Sequence, residues 1–103
     1  MEQAVLVHFP LSDSGFGSPW EREILKGIGN DLTEVVAESG IGEFDGTEVG
    51  EGEYVFFLYG PDADDLFDVV KPVLLQQPWT EQIVAVKRYG PPGAAEVRVT
   101  LGP

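Results

Sequence analysis

Residues 42–54 read GEFDGTEVGEGEY: five carboxylates, Glu43, Asp45, Glu48, Glu51 and Glu53, stand among glycines without a single base. Such a stretch could ligate a hard cation, meet a basic partner, or turn a corner in solvent. Calcium asks for six to eight oxygens, and an EF-hand loop needs acids at positions 1, 3 and 5, Gly at 6 and Glu at 12. With Gly46 at position 6, position 1 is Ile41 and position 12 is Gly52, so the spacing fails. Glu43 and Asp45, two apart on a strand, share a face and could form only a smaller site. A solvated edge strand, where glycine and charge discourage edge-to-edge aggregation, accounts for the same residues. No metal and no cofactor is expected.

Two further places could carry chemistry. SDSGFGSPW (12–20) lies between a strand and a helix, the setting of phosphate-binding loops. It has neither the spacing nor the lysine of a P-loop, and Asp13 repels phosphate, so a structural loop ending in a helix cap is expected. His8 is the only histidine, with no Cys or Ser at a catalytic spacing. A general base would need an orienting carboxylate and a pocket. The sequence shows neither, so His8 reads as a partly buried structural residue and no residue is assigned a catalytic role.

The elements that position these residues belong to a chain of 103 residues, 43% apolar, which suits one α+β domain spanning 1–103. The absence of cysteine excludes disulfides, thiolate metal sites and Cys nucleophiles, and fits a cytoplasmic address. The opening MEQAVLVHFPLSD carries an acid and an apolar run too short for a secretory signal. No run approaches the ~20 apolar residues of a membrane span.

The formal net charge is −12. Between Lys26 and Lys71 lie twelve acids and no base: Asp31, Glu34, Glu38, the five already named, Asp62, Asp64, Asp65 and Asp68. The rest of the chain is balanced, six acids against six bases, so the whole net charge belongs to the middle. Nucleic-acid binding needs cations that displace phosphate counterions, and an anionic membrane surface asks for the same. Both partners are excluded.

AVLVHF (4–9) alternates as a strand, with Val5, Val7 and Phe9 on one face and Leu6 and His8 on the other. Ser18, Pro19 and Glu21 form a capping box that starts a helix. Ile24, Leu25, Ile28, Leu32, Val35 and Val36 follow at helical spacing, and Gly40 stops it. IGEFDGTE (41–48) and EYVFFLY (53–59) read as a hairpin around VGEG. Gly60 and Pro61 are expected to start a second helix, with Asp62, Asp64 and Asp65 in its first turn. Leu66, Val69, Val70, Val73 and Leu74 are its apolar stripe, and Pro72 is expected to kink or shorten it. QIVAVKRY (82–89) and EVRVTL (96–101) close the chain as strands.

The order is β-α-β-β-α-β with one more C-terminal strand. It resembles the ferredoxin-like arrangement, an antiparallel sheet with two helices on one face. Right-handed crossovers then place the first and third strands in the interior of the sheet. The acidic hairpin turn falls at one end of the sheet and the Asp62–Asp65 turn at the other, so the acidic middle cannot converge on one metal. Lys87 and Arg88 end their strand near Asp62 and Asp64, where an ion pair is expected.

Two readings of function follow. The first is a protein-interaction or regulatory module, of the kind that inhibits or neutralises a basic protein. Its acidic surface, Glu43, Asp45, Glu48 and Glu51, would steer the partner, with Trp20 and Trp79 as aromatic anchors. The second is a small-molecule-binding protein or small enzyme using the aromatic sheet face or the helix–sheet cleft. A sheet covered on one face should alternate, and YVFFLY does not. Tyr54, Phe56 and Leu58 point one way and Val55, Phe57 and Tyr59 the other, so either set could face out. Tyr54, Phe56 and Leu58, with His8, form the candidate sheet-face interface, for which a homodimer packed sheet to sheet is one expectation.

Overall fold

The computed structural model describes residues 2–77 and 82–101. Trp79, one of the expected anchors, lies outside the described residues. The elements are β1 (Gln3–Pro10), α1 (Pro19–Ser39), β2 (Glu43–Gly50), β3 (Glu53–Gly60), α2 (Ala63–Leu75), β4 (Val84–Arg88) and β5 (Glu96–Thr100). The strands make one sheet in the order β2-β3-β1-β4-β5, and every neighbouring pair is antiparallel. The α+β class therefore holds, with five strands and two helices among the described residues. β5 extends the sheet past β4, which makes β1 the middle strand of five.

Local chemistry explains the helix starts. The Ser18 Oγ accepts from the Glu21 N–H at 3.1 Å, while the Glu21 carboxylate accepts from the Ser18 N–H at 2.9 Å. Two orphan donors of the first turn are thus used. α1 ends on Gly40, whose φ of 70° is left-handed. α2 begins two residues later than Pro61, because the Asp62 carboxylate caps the Asp65 N–H at 3.1 Å. The Gln3 side-chain carbonyl takes the Ala63 N–H at 2.8 Å and ties the helix to β1. Pro72 neither ends nor truncates α2 at once; the helix continues to Leu75 and tightens at Gln76, whose N–H reaches the Val73 carbonyl. Proline has no N–H to give to the Asp68 carbonyl, so α2 forgoes one intrahelical bond there and still completes its last turn.

The core lies between the helices and one face of the sheet. Val5, Val7 and Phe9 of β1, Tyr54, Phe56 and Leu58 of β3, and Ala85 of β4 meet Leu25, Ile28, Leu32 and Val36 of α1 and Leu66, Phe67, Val70 and Leu74 of α2. Phe56 is at its centre, edge-on to Phe9 with ring centroids 5.4 Å apart, 5.2 Å from Tyr54 and 5.9 Å from Phe44. α1 approaches it closely because residue 29 is glycine: a Cβ there would come within 3.1 Å of the Phe56 ring.

This packing corrects the expected sheet-face interface. Tyr54, Phe56 and Leu58 are buried under the helices, Phe56 and Leu58 completely. They follow Val5, Val7 and Phe9 because antiparallel pairing puts Val7 opposite Phe56 and Val5 opposite Leu58, on the same side of the pleat. The outward set on β3 is Val55, Phe57 and Tyr59.

Candidate interaction surface

The open face of the sheet is built from three register rows. The middle row runs Phe57, Leu6, Val86, Arg98, with Gly46 of β2 beside Phe57. One row towards the β2–β3 turn stand Glu48, Val55, His8, Val84 and Thr100. One row the other way stand Glu43, Tyr59, Ala4, Arg88 and Glu96. The floor is thus mostly apolar across β3, β1 and β4, with acids on the β2 side and with Arg88, Arg98 and Glu96 on the β4–β5 side. Leu6, Val55, Phe57, Tyr59 and Val84 are half-buried by one another and Val86 is buried.

Two rims raise this floor. Phe16, 63% exposed, comes from the β1–α1 loop and lines a trough of about 540 Å³ with Leu6, His8, Val55, Phe57 and the acids Glu48, Glu51 and Glu53. Pro91 and Pro92 of the β4–β5 connection border a second depression of about 430 Å³ with Tyr59, Arg88, Glu43 and Asp45. Asp45 is the extra residue of a β-bulge between Phe44 and Gly46, which leaves it on the same side as Glu43. In the trough, His8 Nδ1 lies 3.4 Å from Glu53 Oε2.

The β2–β3 turn that carries Glu51 is a two-residue turn with positive φ at both positions, 53° at Glu51 and 81° at Gly52. Such a turn matches the twist of a hairpin but suits Asn-Gly better than Glu-Gly. The β1–α1 loop holds it in place: the Leu11 N–H reaches the Gly52 carbonyl at 2.8 Å and the Gly52 N–H reaches the Gly15 carbonyl at 2.9 Å.

The same loop disposes of the phosphate question. One Asp13 oxygen accepts from both the Gly15 and Gly17 N–H groups at 2.9 Å, occupying with the chain's own carboxylate the place an anion would take. Arg22 donates to the Phe16 and Gly17 carbonyls. At the helix–sheet cleft, a cavity of about 240 Å³ is lined by Phe9, Leu11, Ser12, Glu21 and Leu25 among others. Its carboxylate is committed: Glu21 accepts from the Ser12 hydroxyl at 2.6 Å and from the Ser12 and Ser18 N–H groups at 2.9 Å. These bonds, the Ser12 hydroxyl foremost, pull the Glu21 carboxyl down to about 2.

At the opposite end of the sheet, on the helix side, Lys87 Nζ sits 2.9 Å from Asp64 Oδ1 and 5.4 Å above the Phe67 ring. The Tyr89 hydroxyl donates to the same Asp64 oxygen at 2.7 Å. The Tyr89 hydrogen bond, with Lys87 beside it, holds the Asp64 carboxyl below its ordinary range. Asp64 in turn raises Lys87 and Tyr89. This is the ion pair expected from the sequence, and it ties β4 to α2.

Of the expected site residues, the structure brings Glu43, Asp45, Glu48 and His8 to one face and puts Glu51 at its end. Trp20, 66% exposed, stands in the first turn of α1 and belongs to the helix layer rather than to this face. Val55, Phe57 and Tyr59, the alternative outward set of β3, complete the face together with Arg88 and Arg98, which were not among the expected residues. Among the described residues, no group of three His, Asp or Glu side chains is arranged to hold a metal ion. Among them, too, no helix is long and apolar enough to cross a membrane. Comparison with protein-family models, with curated proteins and with solved structures finds no match to this chain.

Proposed function

We propose that this chain is a protein-interaction module whose contact surface is the open face of its sheet. The observation that carries this reading is the unbroken apolar row Phe57, Leu6, Val86 on the side of the sheet away from both helices. Apolar floors with charged rims are the usual form of polypeptide contacts. The acids on the β2 side would steer approach and set orientation, while Phe57 and Tyr59 would supply the buried contact area.

A second reading, a small-molecule site, draws on the trough between Phe16 and the β2–β3 turn, with His8 and Glu53 as an acid–base pair. Ligand pockets enclose their ligands, and a sheet face offers walls at two ends only. The interaction reading therefore has the stronger support.

The test compares what wild type and Phe57→Asp retain from a cell extract supplemented with a differently tagged copy of the chain. Wild type should retain a polypeptide that Phe57→Asp loses, with Trp20→Ala behaving as wild type. Equal retention by Phe57→Asp, or loss only with Trp20→Ala, would move the contact surface elsewhere.

A further inference from the structure

β1 divides the open face into a half whose charges are all acidic and a half that holds its two arginines. On the β2 side stand Glu43, Asp45 and Glu48, and on the β4–β5 side stand Arg88 and Arg98, with Glu96 beside Arg88 at the edge. The arginines are two of only six bases in the chain. Because β5 widens the sheet, β1 has two strands on either side, and the face is balanced about it. A surface arranged in this way is complementary to itself.

We propose that the occupant of the open face is a second copy of this chain, related by a two-fold axis that runs parallel to β1 and passes over it. The proposal rests on the interaction reading above and names the partner. Such an axis keeps each residue's position along the strands and exchanges the two sides of β1. Leu6 meets the partner's Leu6, Phe57 covers the partner's Val86, and Val55 covers the partner's Val84. Asp45 comes over the partner's Arg98, and Tyr59 over the partner's Arg88. The one like-charge match, Glu43 over the partner's Glu96, falls at the rim. An axis perpendicular to the strands would instead stack β2 on β2 and set acids against acids. Facing sheets align within about 30° at a spacing of ~10 Å, so the exact rows shift with twist but the pairing of sides does not. The contact is isologous, as a two-fold interface must be.

Size and charge set the strength. Five strands about 4.8 Å apart, and five residues at about 3.3 Å each, span roughly 24 by 17 Å. Stable interfaces bury about 800 Å² per partner, so this face, even with Phe16 and the Pro91–Pro92 rim, makes a reversible dimer rather than a permanent one. Two bodies of charge −12 also repel at long range. Salt screens that repulsion more than it screens close contacts inside the interface. The dimer should therefore tighten as salt rises, whereas a complex with a basic protein would loosen.

The experiment is sedimentation equilibrium over a concentration series, with wild type, Asp45→Arg, Arg98→Glu and an equimolar mixture of the two variants. Both positions are exposed, and circular dichroism confirms that each variant is folded. Wild type should show a monomer–dimer equilibrium that tightens between about 20 and about 300 mM salt. Each reversal alone sets like charges together at two symmetric contacts and should raise the dissociation constant about tenfold or more. The mixture should recover dimer, because a heterodimer sets the introduced arginine against the introduced glutamate at one contact and keeps the native Asp45 and Arg98 pair at the other. Wild type that stays monomeric at every concentration overturns the dimer and leaves the interaction face to the retention test above. A mixture no better than its components, or single variants as tight as wild type, overturns the axis.

Discussion

Phe56 and Phe57 are neighbours in the chain and face opposite sides of the sheet: Phe56 is fully buried beneath Gly29, and Phe57 stands on the open face opposite Leu6. The two substitutions should therefore separate stability from contact. Phe56→Ala removes the centre of the core and should cost about 3–5 kcal/mol. Phe57→Ala should cost about 1 kcal/mol, the scale of a strand-propensity change. Urea unfolding of both variants, at a concentration low enough to keep the chain monomeric, checks the difference.

Gly27 and Gly29 sit two apart in α1 and should respond in opposite directions. A Cβ at Gly27 meets nothing within 4 Å, so Gly27→Ala gains helix propensity and should stabilise by about 1 kcal/mol. A Cβ at Gly29 meets the buried Phe56 ring at 3.1 Å, so Gly29→Ala should destabilise despite the same gain. Thermal midpoints that rise for both would mean that α1 moves away from the sheet at little cost.

Much of the fold was legible because it is written in local chemistry. Ser18 and Glu21 announce the start of α1 and Gly40 its end, each through hydrogen bonds within four residues. The side of β3 that faces out was not legible, since Tyr54, Phe56 and Leu58 are no more apolar than Val55, Phe57 and Tyr59. A usable signal lay on β1. His8 is the one polar residue among 4–9 and marks the open side, and antiparallel register carries that side to Val55. Phe67, outside the helical stripe drawn through Val69 and Val73, is buried in the core, where Lys87 of β4 lies 5.4 Å above its ring. Arg88 and Arg98 joined the surface only through the pairing of β4 with β1 and β5, which no local pattern states.

Glu51 occupies the first position of the β2–β3 turn with φ 53°. A side chain other than Gly, Asn or Asp is strained there, and the neighbouring acids add repulsion. Glu51→Asn should stabilise the protein by about 1 kcal/mol. Its urea midpoint compared with that of Glu51→Ala, which relieves charge but not strain, separates the two causes: Asn should exceed Ala.

The cap network gives a pH signature. The Glu21 carboxyl lies at about 2 in the folded chain, below its ordinary 4.5. A depressed carboxyl stabilises the fold above its unfolded pKa and loses that contribution as pH falls towards its folded one. Glu21→Gln should therefore be less stable than wild type at neutral pH and down to about pH 5, and the gap should close between about pH 4.5 and 2. A gap that stays constant through that range would show that packing, not ionisation, is what Glu21 supplies.

The central claim, that the open face is where this chain meets another polypeptide, is tested most directly by hydroxyl-radical footprinting. Wild type is labelled across a dilution series, and Phe57 and Tyr59 on the open face are compared with Trp20 in the helix layer. Labelling of Phe57 and Tyr59 should fall as concentration rises, while Trp20 stays constant. Protection of Trp20 with Phe57 unchanged, or no concentration dependence at Phe57 and Tyr59 under conditions where the mass of the chain doubles, would contradict it.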